Sequence, residues 1–178
     1  MGICPHHTFM HVIVCGGGQV GSSIAEYLSL EHAHVTLIDC DQAVIDRLNN
    51  TMDIRAIRGY ASHPEVLREA GARTADMIIA VTREDEVNMV ACQVAHTLFD
   101  VDTKIARLRH RDYLNPQFSD LFSKNHVPID VVISPEMLVA ESIQKRLQVP
   151  GAADVVPLAN GAVYLLGIKT DADCPVLS

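Results

Sequence analysis

The sequence predicts an α/β fold built on a doubly wound, six-stranded parallel sheet, followed by a short β hairpin. Six short runs rich in valine and isoleucine recur along the chain. Their first residues lie roughly 25 positions apart, and the segments between them carry helical patterns. Strand–helix–strand repeats of this period form right-handed crossovers between parallel strands. The six runs are His11–Gly16, His34–Asp39, Ile54–Gly59, Met77–Thr82, Lys104–Arg109 and Asp130–Ser134.

Helical patterns and start signals fill the gaps between these runs. Asp41 is placed to cap the second helix. Ser62 and Glu65 form a capping-box pattern for a third helix, with Gly71 as its stop. Acidic residues open a fourth helix over Glu84–Phe99, where the helix dipole favours them. The apolar faces of the first two helices are formed by Val20, Ile24, Ala25 and Leu28, and by Val44, Ile45 and Leu48.

The last third of the chain departs from the repeat. His110–Asn125 contains Pro116 and only a short helical pattern. Ser134 and Pro135 predict the start of a final helix that ends near Gln148.

A hairpin pattern follows this helix. The β-like segments Ala153–Leu158 and Val163–Lys169 flank Asn160–Gly161, a pair typical of two-residue hairpin turns. Because a lone hairpin is marginally stable in water, we expect the start of a second domain that the chain does not complete, or a strand pair docked elsewhere.

Size and charge argue against several classes of function. The 178 residues suit one domain, or one domain and part of a second. A net charge of −8 and an aromatic content of 4% disfavour nucleic acid, and the charge also disfavours an anionic membrane surface. The apolar runs are shorter than the ~20 residues of a membrane span. Five cysteines without a CxxC pair, and no apolar signal segment in the first nine residues, favour a cytoplasmic protein.

A glycine-rich turn joins the first run to the first helix. The segment Gly16-Gly17-Gly18-Gln19-Val20-Gly21 fits the GxGxxG pattern and stands in the strand–turn–helix context that the pattern requires. Gly16 permits a tight turn, Gly18 lets a pyrophosphate approach the backbone, and Gly21 lets the helix pack against the strand. The helix N-terminus supplies N–H groups to phosphates. The pattern predicts a Rossmann-like dinucleotide site.

An acid ends the second run. Asp39 lies 18 positions beyond Gly21, close to the spacing of a carboxylate that binds a ribose 2′-hydroxyl. Such an acid repels a 2′-phosphate and favours NAD over NADP. The alternative is that Asp39 only begins the turn into the next helix.

Ligands on such sheets lie at the carboxyl ends of the strands. Arg107 could meet a phosphate with its guanidinium fork, and the alternative is a surface ion pair. The residues at these ends are Gly59, Tyr60, Ala61, Ser62, Thr82, Arg83, Arg107 and Arg109.

The sequence offers no convincing catalytic group. There is no Tyr-x-x-x-Lys pair and no P-loop, and His63 lies where it would serve a helix start. The acid or base candidates are His63, His110, Tyr113 and Lys124. We expect a binding protein that is not an enzyme; an NAD-dependent oxidoreductase and a structural assembly domain are the alternatives.

Two clusters could suggest a metal, but each has a simpler interpretation. One lies in the N-terminal extension, and the other is a run of acids that suits a helix start without any ligand. We expect no metal site. The residues are Cys4, His6 and His7, and Glu84, Asp85 and Glu86.

Four blocks give the chain a family resemblance from Met10 to about Lys169. They are GGGQVGSSIAEYL, GYASHPEVLREAGARTADMIIAVTREDEVNMVACQVA, KIARLRHRDY and VPIDVVISPEMLV. With them the chain resembles the N-terminal nucleotide-binding domain of the TrkA family, and more broadly the RCK domains that regulate the conductance of potassium.

The resemblance implies a cytosolic regulatory subunit that binds NAD or NADH, with ATP or ADP as further ligands. It would control a membrane-embedded potassium transporter and lie on the inner face of the membrane through that partner. The family's nucleotide contacts would fall on Gly16, Gly17, Gly18, Gln19, Val20, Gly21, Asp39, Thr82, Arg83 and Arg107.

The resemblance also implies a domain plan. Residues 1–9 would be a disordered extension, 10–134 the nucleotide-binding domain, 135–149 a crossover and dimerisation helix, and 150–178 the start of a truncated C-terminal lobe. In the helix Pro135–Gln148, the stripe Val139, Ile143 and Leu147 would join chains into a homodimer or a higher ring assembly. The alternative is that this stripe packs on its own sheet.

Overall fold

The computed structural model describes residues 9–123, 125–148, 152–158 and 163–168. The chain divides into two compact units, Met1–Ile133 and Ser134–Ser178. The first unit contains six strands: β1 (His11–Cys15), β2 (His34–Asp39), β3 (Arg55–Arg58), β4 (Met77–Ala80), β5 (Thr103–Arg107) and β6 (Val131–Ile133). Its α-helices are α1 (Gln19–Leu30), α2 (Gln42–Thr51), α3 (Pro64–Glu69) and α4 (Asp85–Phe99).

The six strands form one parallel sheet in the order β3-β2-β1-β4-β5-β6. The predicted fold class is thereby confirmed. The chain moves outward from β1 to β3 and then returns to place β4 on the other side of β1, so the strand order reverses between β1 and β4. In open parallel sheets this reversal opens a crevice at the carboxyl ends of the two strands, where ligands bind.

Apolar cores cover both faces of the sheet. Val12 and Val14 of β1 pack in one core with residues of α1 and α2. Ile13 and Cys15 pack in the other core with residues of α3 and α4. Since successive strand residues point to opposite faces, a strand covered on both sides needs a continuous apolar run.

The sequence patterns predicted some helix ends correctly and others not. Asp41 caps α2, with its side chain accepting a hydrogen bond from the Ala43 N–H at 2.9 Å. The prediction of a capping box from Ser62 to Glu65 was wrong. Helix α3 begins at Pro64, and its N-cap is His63, which makes no side-chain cap bond. The fixed backbone of proline suits the first helical position and sets the start one residue later. Gly71, the predicted stop, follows α3 in the left-handed conformation with φ +87°.

The segment between β5 and β6 forms two 3-10 helices, Arg111–Leu114 and Pro116–Phe122. Asn115 joins them, and its side chain accepts a hydrogen bond from the Gln117 N–H at 3.0 Å. A further 3-10 turn, Ala72–Thr74, precedes β4.

The second unit contains α5 (Pro135–Gln148) and an antiparallel pair, β7 (Ala152–Leu158) and β8 (Val163–Ile168). The final helix has its predicted bounds. Residues 159–162, which include the predicted Asn160–Gly161 turn, lie outside the described residues. In the part of the chain that the structure describes, no helix combines the length and apolar character needed to cross a membrane.

Candidate functional site

The glycine turn lies at the carboxyl end of β1, where two of its glycines are required by close packing. Gly16 has φ +106°, and a Cβ on it would lie 3.0 Å from the backbone of Thr82. A Cβ on Gly21 would lie 1.8 Å from the Gly16 carbonyl oxygen, so any larger residue would force α1 off the turn. The turn therefore contacts both its own helix and the loop after β4.

Gly18 differs, because a Cβ there would meet nothing within 4 Å. It is the exposed N-cap of α1, without a side-chain cap bond. The first N–H groups of a helix have no acceptor within that helix and carry a partial positive charge. Open space over such a terminus fits the approach of a phosphate group.

The peptide groups of Gly17 are held from several sides. Its N–H donates to Asp39 Oδ2 at 2.6 Å. Its carbonyl oxygen accepts from Ser22 Oγ at 2.9 Å and from Arg47 Nη2 at 3.1 Å. These bonds fix the orientation of the turn before any ligand arrives. Ser22 and Arg47 were not predicted, because nothing in the local pattern shows which distant carbonyl a side chain reaches.

Asp39 serves the turn and the next helix together. Its second oxygen, Oδ1, accepts from the Asp41 N–H at 2.8 Å. The Oδ1 bond is the one expected of an acid that begins the turn into α2, whereas the Oδ2 bond holds the glycine turn. A carboxylate has about four lone-pair sites, so these two bonds leave it able to accept further ones. The predicted ribose contact stays a prediction.

Thr82 and Arg107 are joined through Asn88, which the sequence patterns did not predict as a site residue. Asn88 of α4 accepts from the Thr82 N–H at 2.9 Å and from Thr82 Oγ1 at 2.7 Å. Its amide nitrogen donates to the Arg107 carbonyl oxygen at 2.9 Å. Arg83, next to Thr82, is exposed.

Contacts thus run continuously along the carboxyl edge of four strands. They join Asp39 to Gly17, Gly16 to Thr82, and Thr82 through Asn88 to Arg107. Of the other predicted contacts, Gln19 is exposed in the first turn of α1, and Val20 packs against the apolar core.

Among the acids at the start of α4, Asp85 has a structural role. Asp85 is buried, and its Oδ2 accepts from the N–H groups of Arg109 and His110 at 2.9 and 2.8 Å. Among the described residues, no group of three or more His, Cys, Asp or Glu could hold a metal ion. Cys4, His6 and His7 lie outside them.

Two catalytic candidates, His110 and Tyr113, lie together beyond β5, with their ring centroids 6.1 Å apart. His63 lies beyond β3, at the other side of the sheet, with its ring centroid 5.4 Å from that of Tyr60. Lys124 lies outside the described residues.

The buried thiols of Cys15 and Cys92 are unreactive near neutral pH. Burial raises the pKa of Cys92 to about 12, and burial also raises the pKa of Cys15 far above its usual range. Both stay protonated near neutral pH. Since the thiolate is the nucleophile and the metal ligand, neither thiol offers such chemistry.

A cavity of about 730 Å³ opens at the opposite, amino-terminal edge of the sheet. It lies beside the first residues of β1, β2 and β3, and its lining includes His11, His34 and Arg55. The cavity is distant in the fold from the glycine turn. Parallel sheets bind ligands at the other edge, so we place the candidate site at the carboxyl ends and not in this cavity.

Solved structures share this fold. The TrkA-N domain of the inner membrane protein ybaL from Escherichia coli superposes with a TM-score of 0.67 at 20% identity, covering 79% of this chain and 98% of that one. The GsuK channel bound to NAD superposes with a TM-score of 0.65 at 14% identity, and the match covers 88% of this chain and 27% of that one. GsuK bound to ADP superposes with a TM-score of 0.62 at 22% identity, and the match covers 78% of this chain and 34% of that one.

Curated relatives are more similar in sequence. The Trk system potassium uptake protein TrkA of Azorhizobium caulinodans is 48% identical over 168 residues, which cover 94% of this chain and 37% of that protein. The Trk system potassium uptake protein TrkA of Halomonas elongata is 48% identical over 160 residues, which cover 90% of this chain and 35% of that protein. The chain therefore spans about a third of the length of these relatives. The TrkA-N domain model matches residues 12–135, and the chain belongs to the TrkA-N domain family.

Proposed function

We propose that this chain is a nucleotide-binding module that regulates potassium uptake and binds NAD or NADH, with ATP or ADP as further ligands. The observation that carries the proposal is the continuous edge from Asp39 through the glycine turn to Arg107. It lies at the strand-order reversal, where open parallel sheets bind nucleotides. The Trk names of the relatives and the NAD and ADP in GsuK support the assignment.

Each group along the edge has chemistry that suits one part of a dinucleotide. The open N-terminus at Gly18 offers N–H groups to the diphosphate. Asp39 accepts from ribose hydroxyls and disfavours a 2′-phosphate. Thr82, Arg83 and Arg107 border the site from β4 and β5, and a guanidinium can bind a phosphate with two parallel hydrogen bonds.

The module would act by ligand-dependent changes of conformation and not by catalysis. A ligand shifts such an equilibrium only through its different affinity for two arrangements. The partner would be a membrane-embedded potassium transporter, and the module would be cytoplasmic and lie on the membrane through that partner. Two chains would pair through α5, whose Leu138, Val139 and Ile143 are 54–62% exposed.

Calorimetry with NADH, NAD, ATP and ADP tests the proposal. Asp39→Ala is expected to weaken NADH binding at least about tenfold, because a charge-assisted hydrogen bond contributes roughly 1.5–3 kcal/mol. The matched control is Asp46→Ala on α2, where the exposed carboxylate accepts a side-chain bond from Gln42. The affinity of this variant for NADH should equal that of wild type. If Asp39→Ala binds as tightly as wild type, Asp39 is not in the site. If none of the four nucleotides binds the folded protein, the proposed function is wrong.

A further inference from the structure

Asn88 is a buried polar residue in which every hydrogen-bonding group of the side chain is used. Its exposed fraction is 0%. The oxygen accepts from the Thr82 N–H and hydroxyl, and the nitrogen donates to the carbonyl oxygens of Thr82 at 3.3 Å and Arg107 at 2.9 Å. A buried amide with four hydrogen bonds to two residues determines the geometry between those residues, since any displacement leaves a polar group without its bond.

The position of Asn88 matters because the strand ladder ends before the site begins. The register between β4 and β5 runs from Met77–Thr103 to Ala80–Ala106. Thr82 and Arg107 lie beyond the last of these pairs. Asn88 therefore bridges the two strand ends where their regular pairing has stopped.

A second side chain of α4 supports the same segment. Asp85 is three positions before Asn88, which places both on one face of the helix. Its carboxylate holds the N–H groups of Arg109 and His110. The helix thus holds the backbone from the Arg107 carbonyl, at the end of β5, to the His110 N–H in the segment that follows.

We infer that Asn88 is a positioning residue for nucleotide binding. Being fully buried, it does not touch the ligand, and it acts by holding Thr82 and Arg107 at the separation that the ligand requires. The inference rests on the proposed function, because the ligand of Thr82 and Arg107 is the nucleotide. It adds that the affinity of the site depends on a side chain of α4 beneath it.

The test compares Asn88→Ala and Asn88→Asp with Ala95→Gly, which weakens the same helix at a buried position away from the strand ends. Calorimetry with NADH is done at a temperature where thermal melts show each variant folded. Both Asn88 variants should bind NADH about tenfold or more weakly, since each loses the amide donor. Ala95→Gly should melt earlier and bind with wild-type affinity. Folded Asn88 variants that bind like wild type would overturn the inference.

The wild-type protein provides a readout that does not depend on variants folding. In nitrogen–proton NMR spectra, the side-chain amide signal of Asn88 should shift when NADH is added, because its two partners engage the ligand. An unchanged signal in a protein that binds NADH would overturn the inference while leaving the proposed function intact. Absence of any NADH binding would instead refute the proposed function.

Discussion

Among single residues, the glycines of the turn have separate roles, because the room for a side chain differs between them. Gly21 lies against the Gly16 carbonyl, whereas Gly18 faces open space. The sequence pattern predicted both positions, because a GxGxxG turn has one geometry. It could not predict Ser22, Arg47 or Asn88, whose hydrogen bonds join residues that the pattern does not relate.

This separation predicts different outcomes for two alanine substitutions. Gly21→Ala should lower the free energy of unfolding by about 2 kcal/mol or more, since its methyl group would overlap backbone. Gly18→Ala should fold with a stability within about 1 kcal/mol of wild type, yet lose NADH affinity because the methyl group fills the space offered to a phosphate. Urea unfolding and calorimetry measure the two quantities. Equal stability of Gly21→Ala and wild type would contradict the packing described for α1.

For the strands and helices, apolar periodicity in the sequence predicted where each element lies. Capping residues predicted where a helix begins only if a single start signal is present. Asp41 caps α2 as predicted, but Pro64 and not Ser62 determines where α3 begins. Two overlapping start signals cannot be ranked by pattern alone. The 3-10 helices around Asn115 were equally beyond periodicity, because they are too short to show a repeat.

The packing of β1 against α4 predicts a dependence of stability on alkaline pH. Cys15 and Cys92 keep their protons in the folded state above the ordinary thiol pKa of 9.0, whereas the unfolded chain releases them. The unfolded state then binds fewer protons, so stability falls as pH rises through 9 toward 12. The expected slope is about 1.4 kcal/mol per pH unit for each thiol. Urea unfolding at stepped pH measures it.

The double variant Cys15→Ala/Cys92→Ala is the control, and its stability should fall less steeply over this range. The same slope in the variant and in wild type would show that these thiols are not the cause.

At the level of the whole molecule, the structure divides into a unit that carries the parallel sheet and a second unit that contains α5, β7 and β8. The exposed apolar residues of α5 suit contact with a second chain better than contact with water.

Pairing through α5 predicts a change of oligomeric state. Val139→Glu should shift the protein from dimer to monomer in sedimentation equilibrium, because a buried unpaired carboxylate opposes association. Gln144→Glu adds the same charge to the same helix at an exposed polar position and should remain dimeric. Wild-type protein that sediments as a monomer at all concentrations would contradict pairing.

Backbone NMR shifts during titration with NADH test directly whether a nucleotide binds at the carboxyl edge of the sheet, between the glycine turn and Arg107. The largest shifts are expected at Gly16–Gly18, Thr82 and Arg107. Shifts confined to the histidine-lined cavity at the amino-terminal edge, around His11 and His34, would contradict binding at the carboxyl edge.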